Sequence, residues 1–135
     1  MTKTFWLILF MFSAQAQAAS PAEALQGYTA QAKQENPAFK VASASKGDAF
    51  YHATHRLGNG TSISCATCHT ANPKQSGKTR ANKEIQPLAP SANAQRFTDA
   101  AKTEKWFRRN CQDVLGRTCS AQEKSDFIAY LLSVK

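Results

Sequence analysis

Cys65, Cys68 and His69 stand in one short run, Cys65-Ala66-Thr67-Cys68-His69. Two thiols three positions apart lie on one side of a helical turn. Each can add across a vinyl group of a porphyrin as a thioether, and the adjoining imidazole then lies under the metal and can bind iron through Nε2. The C-x-x-C-H spacing is that of a c-type haem attachment site, and it predicts one covalent haem c. Other uses of the cysteines fit less well. A thioredoxin-like C-x-x-C needs a βαβ setting, and no alternating β-branched runs flank this one. A zinc site needs a second closely spaced pair of ligands, whereas Cys111 and Cys119 stand eight apart and far downstream.

The N-terminus sets the compartment in which such chemistry is possible. Lys3 gives a positive start, Phe5 to Phe12 is an unbroken apolar run, and Ala16-Gln17-Ala18 is a small-x-small cleavage site. The run is far shorter than the ~20 residues that span a bilayer. Residues 1–18 are therefore expected to be a cleaved signal peptide and residues 19–135 a single monohaem domain, exported to the periplasm as a monomer. An oxidising compartment permits disulfides, and Cys119 can close one with Cys111.

Processing also removes both methionines, Met1 and Met11. Many small cytochromes hold iron between histidine and methionine, and that pairing is excluded here by composition. His52, His55, a lysine or a weaker polar side chain are the remaining candidates for the sixth position. His52 and His55 stand three apart on the helix expected before the attachment site, and both are expected to decorate its surface. A lysine would have to give up its proton, which costs free energy unless the site is strongly desolvated. Trp106, Phe107 and Asn110 fall at i, i+1 and i+4, so an amide ends a patch of aromatic surface, with Cys111 directly after it. Asparagine in that place also suits a helix C-cap.

The elements that must position these groups read as helices. Ser20-Pro21-Ala22-Glu23 is a helix start, with a serine cap, proline at the first position and a capping glutamate. That helix is expected to run to about Gln34 with Ala22, Leu25, Tyr28 and Ala32 on its inner face. A second helix is expected near Gly47-Asp48, carrying Ala49, Phe50 and Ala53, and fading at Gly58-Asn59-Gly60. Residues 70–97 lack periodicity and are expected to wrap the porphyrin. A third helix is placed from Thr98-Asp99 to about Asn110. The last starts at the capping box Ser120-Ala121-Gln122-Glu123 and continues through Phe127, Tyr130, Leu131 and Val134. No strand is expected. The fold class is all-α, with Phe50 or Tyr51 crossing Phe127 or Tyr130.

Charge bounds the partners. Lys and Arg number 17 against 9 Asp and Glu, a formal net charge of +8. Nucleic acid is not an expected partner for an exported protein, while an acidic redox partner or anionic surface suits the excess.

A wider set of positions resembles a known family. Thr79-Arg80, Lys83-Glu84-Ile85, Pro87-Leu88-Ala89-Pro90-Ser91-Ala92, Arg96-Phe97-Thr98-Asp99, Glu104-Lys105-Trp106, Arg109-Asn110-Cys111 and Gly116-Arg117 with Cys119 are similar to sphaeroides haem protein. That family comprises bacterial class I cytochromes c. The likeness covers Ser64 to the C-terminus and Ser20 to Tyr28, and is loose between them, with departures around His52 to Asn59. It implies that Asn110 is the distal ligand and that Cys111 and Cys119 form the disulfide beside it. It further implies that the asparagine leaves ferrous iron, so that oxygen, nitric oxide or carbon monoxide can bind. Electrons would come from a di-haem cytochrome c linked to a membrane cytochrome b. Trp106, Phe107 and Arg109 become candidates for the distal pocket, and Arg108 reads as solvated charge. The expected function is an electron-accepting, ligand-binding haem protein rather than an enzyme. A plain electron carrier with a permanent sixth ligand, or a reductase of oxygen or a small nitrogen compound, are the alternatives.

Overall fold

Hydroxyl and carboxylate caps set where each helix begins. In the computed structural model, which describes residues 19–135, α1 spans Pro21–Glu35 and opens on the expected capping box, Ser20 Oγ accepting from the Glu23 amide and Glu23 reaching back to the Ser20 amide. The expected signal peptide lies outside the described residues. Helix α2 spans Ala44–His52 and begins earlier than its Gly47-Asp48 signal, because Ser43 caps it by accepting from Lys46 N–H. Helix α3 is the short Cys65–His69 turn, α4 spans Ala100–Leu115 and α5 spans Ala121–Ser133. No described helix is long and apolar enough to cross a membrane.

Further expectations are corrected. The helix placed to end at Asn110 continues for more than another turn, because Val114 is buried on the same side as Phe107 and Cys111, and Gly116 supplies the left-handed cap at φ 68°. Asn110 is thus an interior helical residue and not a C-cap. The absence of strands also fails. Strands β1 (His55–Arg56) and β2 (Ser62–Ile63) form an antiparallel hairpin around the Gly58-Asn59-Gly60 turn, and β3 (Gly77–Lys78) pairs with β4 (Glu84–Ile85). Two-residue ladders are too short to leave an alternating pattern in the sequence.

The all-α character holds around these hairpins. Helix α5 is the hub, packed against both α1 and α2. Its crossing with α2 uses the expected aromatics. Phe50 meets Phe127 edge-on at 6.4 Å, and Tyr51 lies 6.0 Å from Phe127 and 5.5 Å from Tyr130. Such pairs add about 0.5–1.5 kcal/mol each beyond their area. Gly47 permits the close approach, since a Cβ there would collide with the Asp126 carbonyl and sit 2.8 Å from Tyr130 Cβ. On α1, Ala32 is buried and Leu25 and Tyr28 are half-buried as expected, while Ala22 is exposed and Ala24 packs on the core instead.

The main core joins Tyr51, Leu88, Phe107, Cys111, Cys119, Phe127, Ile128 and Leu131. Helix α5 also buries polar side chains, each partnered. Lys124 Nζ donates to both carboxylate oxygens of Glu104, Ser125 Oγ donates to Gln122 O, and Asp126 Oδ1 accepts from Ser43 N–H at 2.6 Å.

Candidate haem-binding site

Helix α3 is built to hold its five residues still. Ser64 and Thr67 form a reciprocal cap, Ser64 Oγ accepting from Thr67 N–H at 3.2 Å and Thr67 Oγ1 from Ser64 N–H at 2.9 Å. The β1–β2 hairpin, with Ile63 buried, delivers the chain to that cap. At the other end Thr70 takes φ 64° and ψ 163°, a region that costs a non-glycine residue about 1–3 kcal/mol. Tyr51, fully buried on α2, holds this turn. Its hydroxyl lies 2.6 Å from Thr70 O and 3.1 Å from His69 O, donating to the pair. From the far side Gly77 presses so close that a Cβ would strike the Cys68 carbonyl.

The long segment after α3 is ordered by hydrogen bonds instead of periodicity. Pro73 O accepts from the amides of Leu88 and Ala89, both at 2.9 Å. Arg96 Nε donates to Pro87 O at 2.7 Å, and its Nη2 donates to Gln86 O. The guanidinium stays close enough to influence His69. Burial, and secondly the positive charge of Arg96, lower the His69 imidazole to about 4. The ring is therefore neutral at pH 7, the form that donates a lone pair to a metal. Burial likewise pushes the Cys65 thiol up to about 11.

Cys65 and Cys68 are free of any disulfide, and both are half-buried. Among the described residues no group of three or more His, Cys, Asp and Glu gathers as a metal cage would require. Two free thiols and a neutral imidazole on one turn therefore fit a covalent haem and not a protein-only metal site. The principal neighbours of α3 are α2 and β3, and its Cys65 and Ala66 also pack against the main core.

Helix α4 carries the remaining residues that the sequence singled out. Asn110 is half-buried, and among the described residues its carboxamide has no protein hydrogen bond. The next residue, Cys111, is disulfide-bonded to Cys119, with Cα atoms 5.7 Å apart and both cysteines buried in the core. The three residues of the expected aromatic patch diverge. Phe107 turns inward, 5.5 Å from both Tyr28 and Phe127. Trp106 is 40% exposed, with the Arg109 guanidinium 5.7 Å from its ring centroid. Asn110 lies between these two directions on the helix, and Arg108 is exposed.

The two histidines of the preceding segment separate as well. His52 is committed to the surface. Its Nδ1 lies 2.9 Å from Asp48 Oδ1, and its Nε2 lies 3.2 Å from Ala71 O. His55, expected on the surface of the helix, sits instead beyond its end on β1 opposite Ile63, with a buried Nε2 that lacks a hydrogen-bond partner among the described residues. Sequence reasoning missed Tyr51, Thr70 and Arg96 as supports of the site. Tyr51 was legible only as a core aromatic, and the other two left no local signal.

Comparison with known proteins follows the same lines. A family described as "Domain of unknown function (DUF1924)" matches residues 37–131. The chain is 46% identical over 112 residues to the "Cytochrome c-type protein SHP" of Cereibacter sphaeroides, covering 83% of this chain and 82% of that protein. It is 40% identical over 127 residues to cytochrome c'' of Methylophilus methylotrophus, covering 93% and 88%. The crystal structure of oxidised cytochrome c'' superposes with a TM-score of 0.79 at 40% identity, over 85% of this chain and 94% of that one. Oxidised SHP, described as an oxygen-binding cytochrome c, superposes with a TM-score of 0.74 at 45% identity, over 84% and 96%.

Proposed function

The chain belongs to the SHP family of c-type cytochromes, and we propose that it is a periplasmic, electron-accepting haem protein whose Asn110 gives way to a diatomic ligand on reduction. Its cofactor is one covalent haem c, which would supply a one-electron centre. Cys65 and Cys68 each add sulfur to one vinyl carbon and pass the thiol hydrogen to the other. His69 offers its neutral imidazole from a turn that Tyr51 and Ser64 hold in place. A fixed proximal residue leaves the distal side as the place where change is cheap.

One observation carries the assignment of that side. Asn110 is an interior helical residue, half-buried and without a hydrogen-bond partner for its carboxamide among the described residues, and the left-handed Gly116 does the capping. Its side chain is free for another role, and the adjacent buried disulfide fixes its backbone. An amide oxygen is an uncharged, weak donor. Asn110 would hold a ferric ion better than a less positive ferrous one, so reduction would favour its release. The disulfide keeps the helix still while only the side chain swings. Trp106, Phe107 and Arg109, within one turn of Asn110 on the same helix, are the side chains we assign to the rim of the distal pocket.

The relatives support this reading. SHP is an oxygen-binding cytochrome c, and the solution structure of cytochrome c'' concerns haem-ligand detachment. Oxygen, nitric oxide and carbon monoxide are the ligand class we assign here. The electron donors we assign are a di-haem cytochrome c and, behind it, a membrane cytochrome b. Multiple turnover as a reductase is not part of the proposal. The test is the ferric absorption spectrum of Asn110→Ala and Asn110→His. The alanine variant is expected to keep its covalent haem and turn high-spin or water-ligated. The histidine variant is expected to stay low-spin in both oxidation states. A ferric spectrum unchanged in Asn110→Ala would move the ligand to another side chain, His55 first.

A further inference from the structure

We propose that the solvent face of α4 is the docking site for an acidic one-electron carrier, with Trp106 as its apolar centre. Lys102, Lys105, Trp106 and Arg109 fall at i, i+3, i+4 and i+7, so they form one stripe along the helix. The opposite side of α4 buries Thr103, Phe107, Cys111 and Val114, which turns the stripe toward solvent. Among the described residues, no carboxylate stands at ion-pair distance from Lys102, Lys105, Arg108 or Arg109. Glu104 is on the same helix but faces Lys124, which takes up its charge. Asp113 is the one carboxylate on the stripe, at its far end.

Trp106 is unusual in this setting. It is one of two large hydrophobic residues exposed among the described residues, the other being Val41 on the connector before α2. An exposed tryptophan stacked by arginine and ringed by lysines is the composition of an interface centre with a charged rim. The positive rim steers an acidic surface inward, and the indole gives it a dry contact. Trp106 precedes Asn110 by one turn, about 6 Å along the helix axis. A carrier seated there lies one turn from Asn110, to which the proposed function gives the distal position. One electron would then leave the carrier, oxidising it by one unit, and reduce by one unit the ferric haem that Cys65, Cys68 and His69 would hold.

The inference rests on the reading of the chain as an electron-accepting haem protein, and its test keeps the two apart. Reduced flavodoxin, an acidic one-electron carrier, is mixed with the ferric holoprotein in a stopped-flow instrument at low and at high salt. Dithionite reduction of the same samples serves as reference. Wild type is expected to react more slowly as salt rises. Lys102→Glu with Lys105→Glu is expected to cut the low-salt rate at least tenfold, with the difference vanishing in high salt. Trp106→Ala is expected to slow the reaction at both salt levels. Lys78→Glu with Lys83→Glu makes the same change in net charge on the β3–β4 hairpin and is expected to stay within twofold of wild type. Equal slowing by the two charge reversals would overturn the proposal, since net charge alone would then govern the rate. An unchanged rate for Trp106→Ala would overturn it too. Failure of dithionite to reduce wild type would instead strike the haem-acceptor reading.

Discussion

The buried pair between α4 and α5 should respond very differently to loss of its two members. Lys124 has a side chain only 9% exposed, whereas the Glu104 side chain is 48% exposed, and the ions meet at 2.8 Å. Glu104 also accepts from Tyr28 Oη at 2.8 Å, so the cluster ties α1, α4 and α5 together. Removing the carboxylate strands an ammonium among aromatic rings, 5.3 Å from Tyr28 and 5.9 Å from Phe107. Breaking a fully buried pair this way costs about 3–5 kcal/mol, and partial hydration of this one lowers the expectation to about 2–3 kcal/mol for Glu104→Gln. Removing the lysine leaves a carboxylate that water already reaches. Lys124→Met should therefore cost no more than about 1 kcal/mol, the thioether repacking against the same rings. The double variant should resemble Lys124→Met, because the stranded charge has gone. Urea denaturation of the holoprotein, followed by circular dichroism, measures all three. A larger loss for Lys124→Met than for Glu104→Gln would refute the argument. The pair also has a pH signature. Burial raises the Glu104 carboxyl, but hydrogen bonds from Lys124 and Tyr28 and the charges of Lys124 and Arg108 outweigh it and hold it below 4.5. Its stabilisation is present above that value and is lost as the pH falls through the lowered one.

Three further outcomes follow from packing. Tyr51→Phe removes the hydroxyl that braces Thr70 O and His69 O; a loss of about 1–2 kcal/mol is expected in urea, and an unchanged midpoint would deny it that role. Gly47→Ala drives a methyl group into the Asp126 carbonyl at the α2–α5 crossing; a cost of about 1–3 kcal/mol is expected, and a neutral result would mean that the crossing has slack. Cys111→Ser with Cys119→Ser opens the short loop of the disulfide; thermal unfolding should report a loss of about 2–3 kcal/mol, and wild-type stability would contradict the bridge's contribution.

Much of this architecture was legible because its signals are local. The capping boxes at Ser20 and Ser120, the C-x-x-C-H run and the aromatic periodicity of α5 need only neighbours along the chain. What escaped depends on distant partners or on very short elements. The early start of α2 comes from one serine hydroxyl, and the extension of α4 past Asn110 comes from Val114 finding the core. That extension matters for function, since it removes the capping role that competed for Asn110. The brace from Tyr51 to Thr70 and the latch from Arg96 to Pro87 join residues that no spacing rule connects. Trp106 and Phe107 looked like one patch in sequence, yet successive helical residues point about 100° apart, and the core took only the second.

The release of Asn110 on reduction is tested most directly by the absorption spectrum of the dithionite-reduced protein before and after carbon monoxide is added. The predicted result is a five-coordinate ferrous spectrum that shifts at once to the carbon monoxide form, from a ferric protein that was low-spin at the start. A ferrous spectrum that stays low-spin and ignores carbon monoxide would show a permanent sixth ligand and contradict the account.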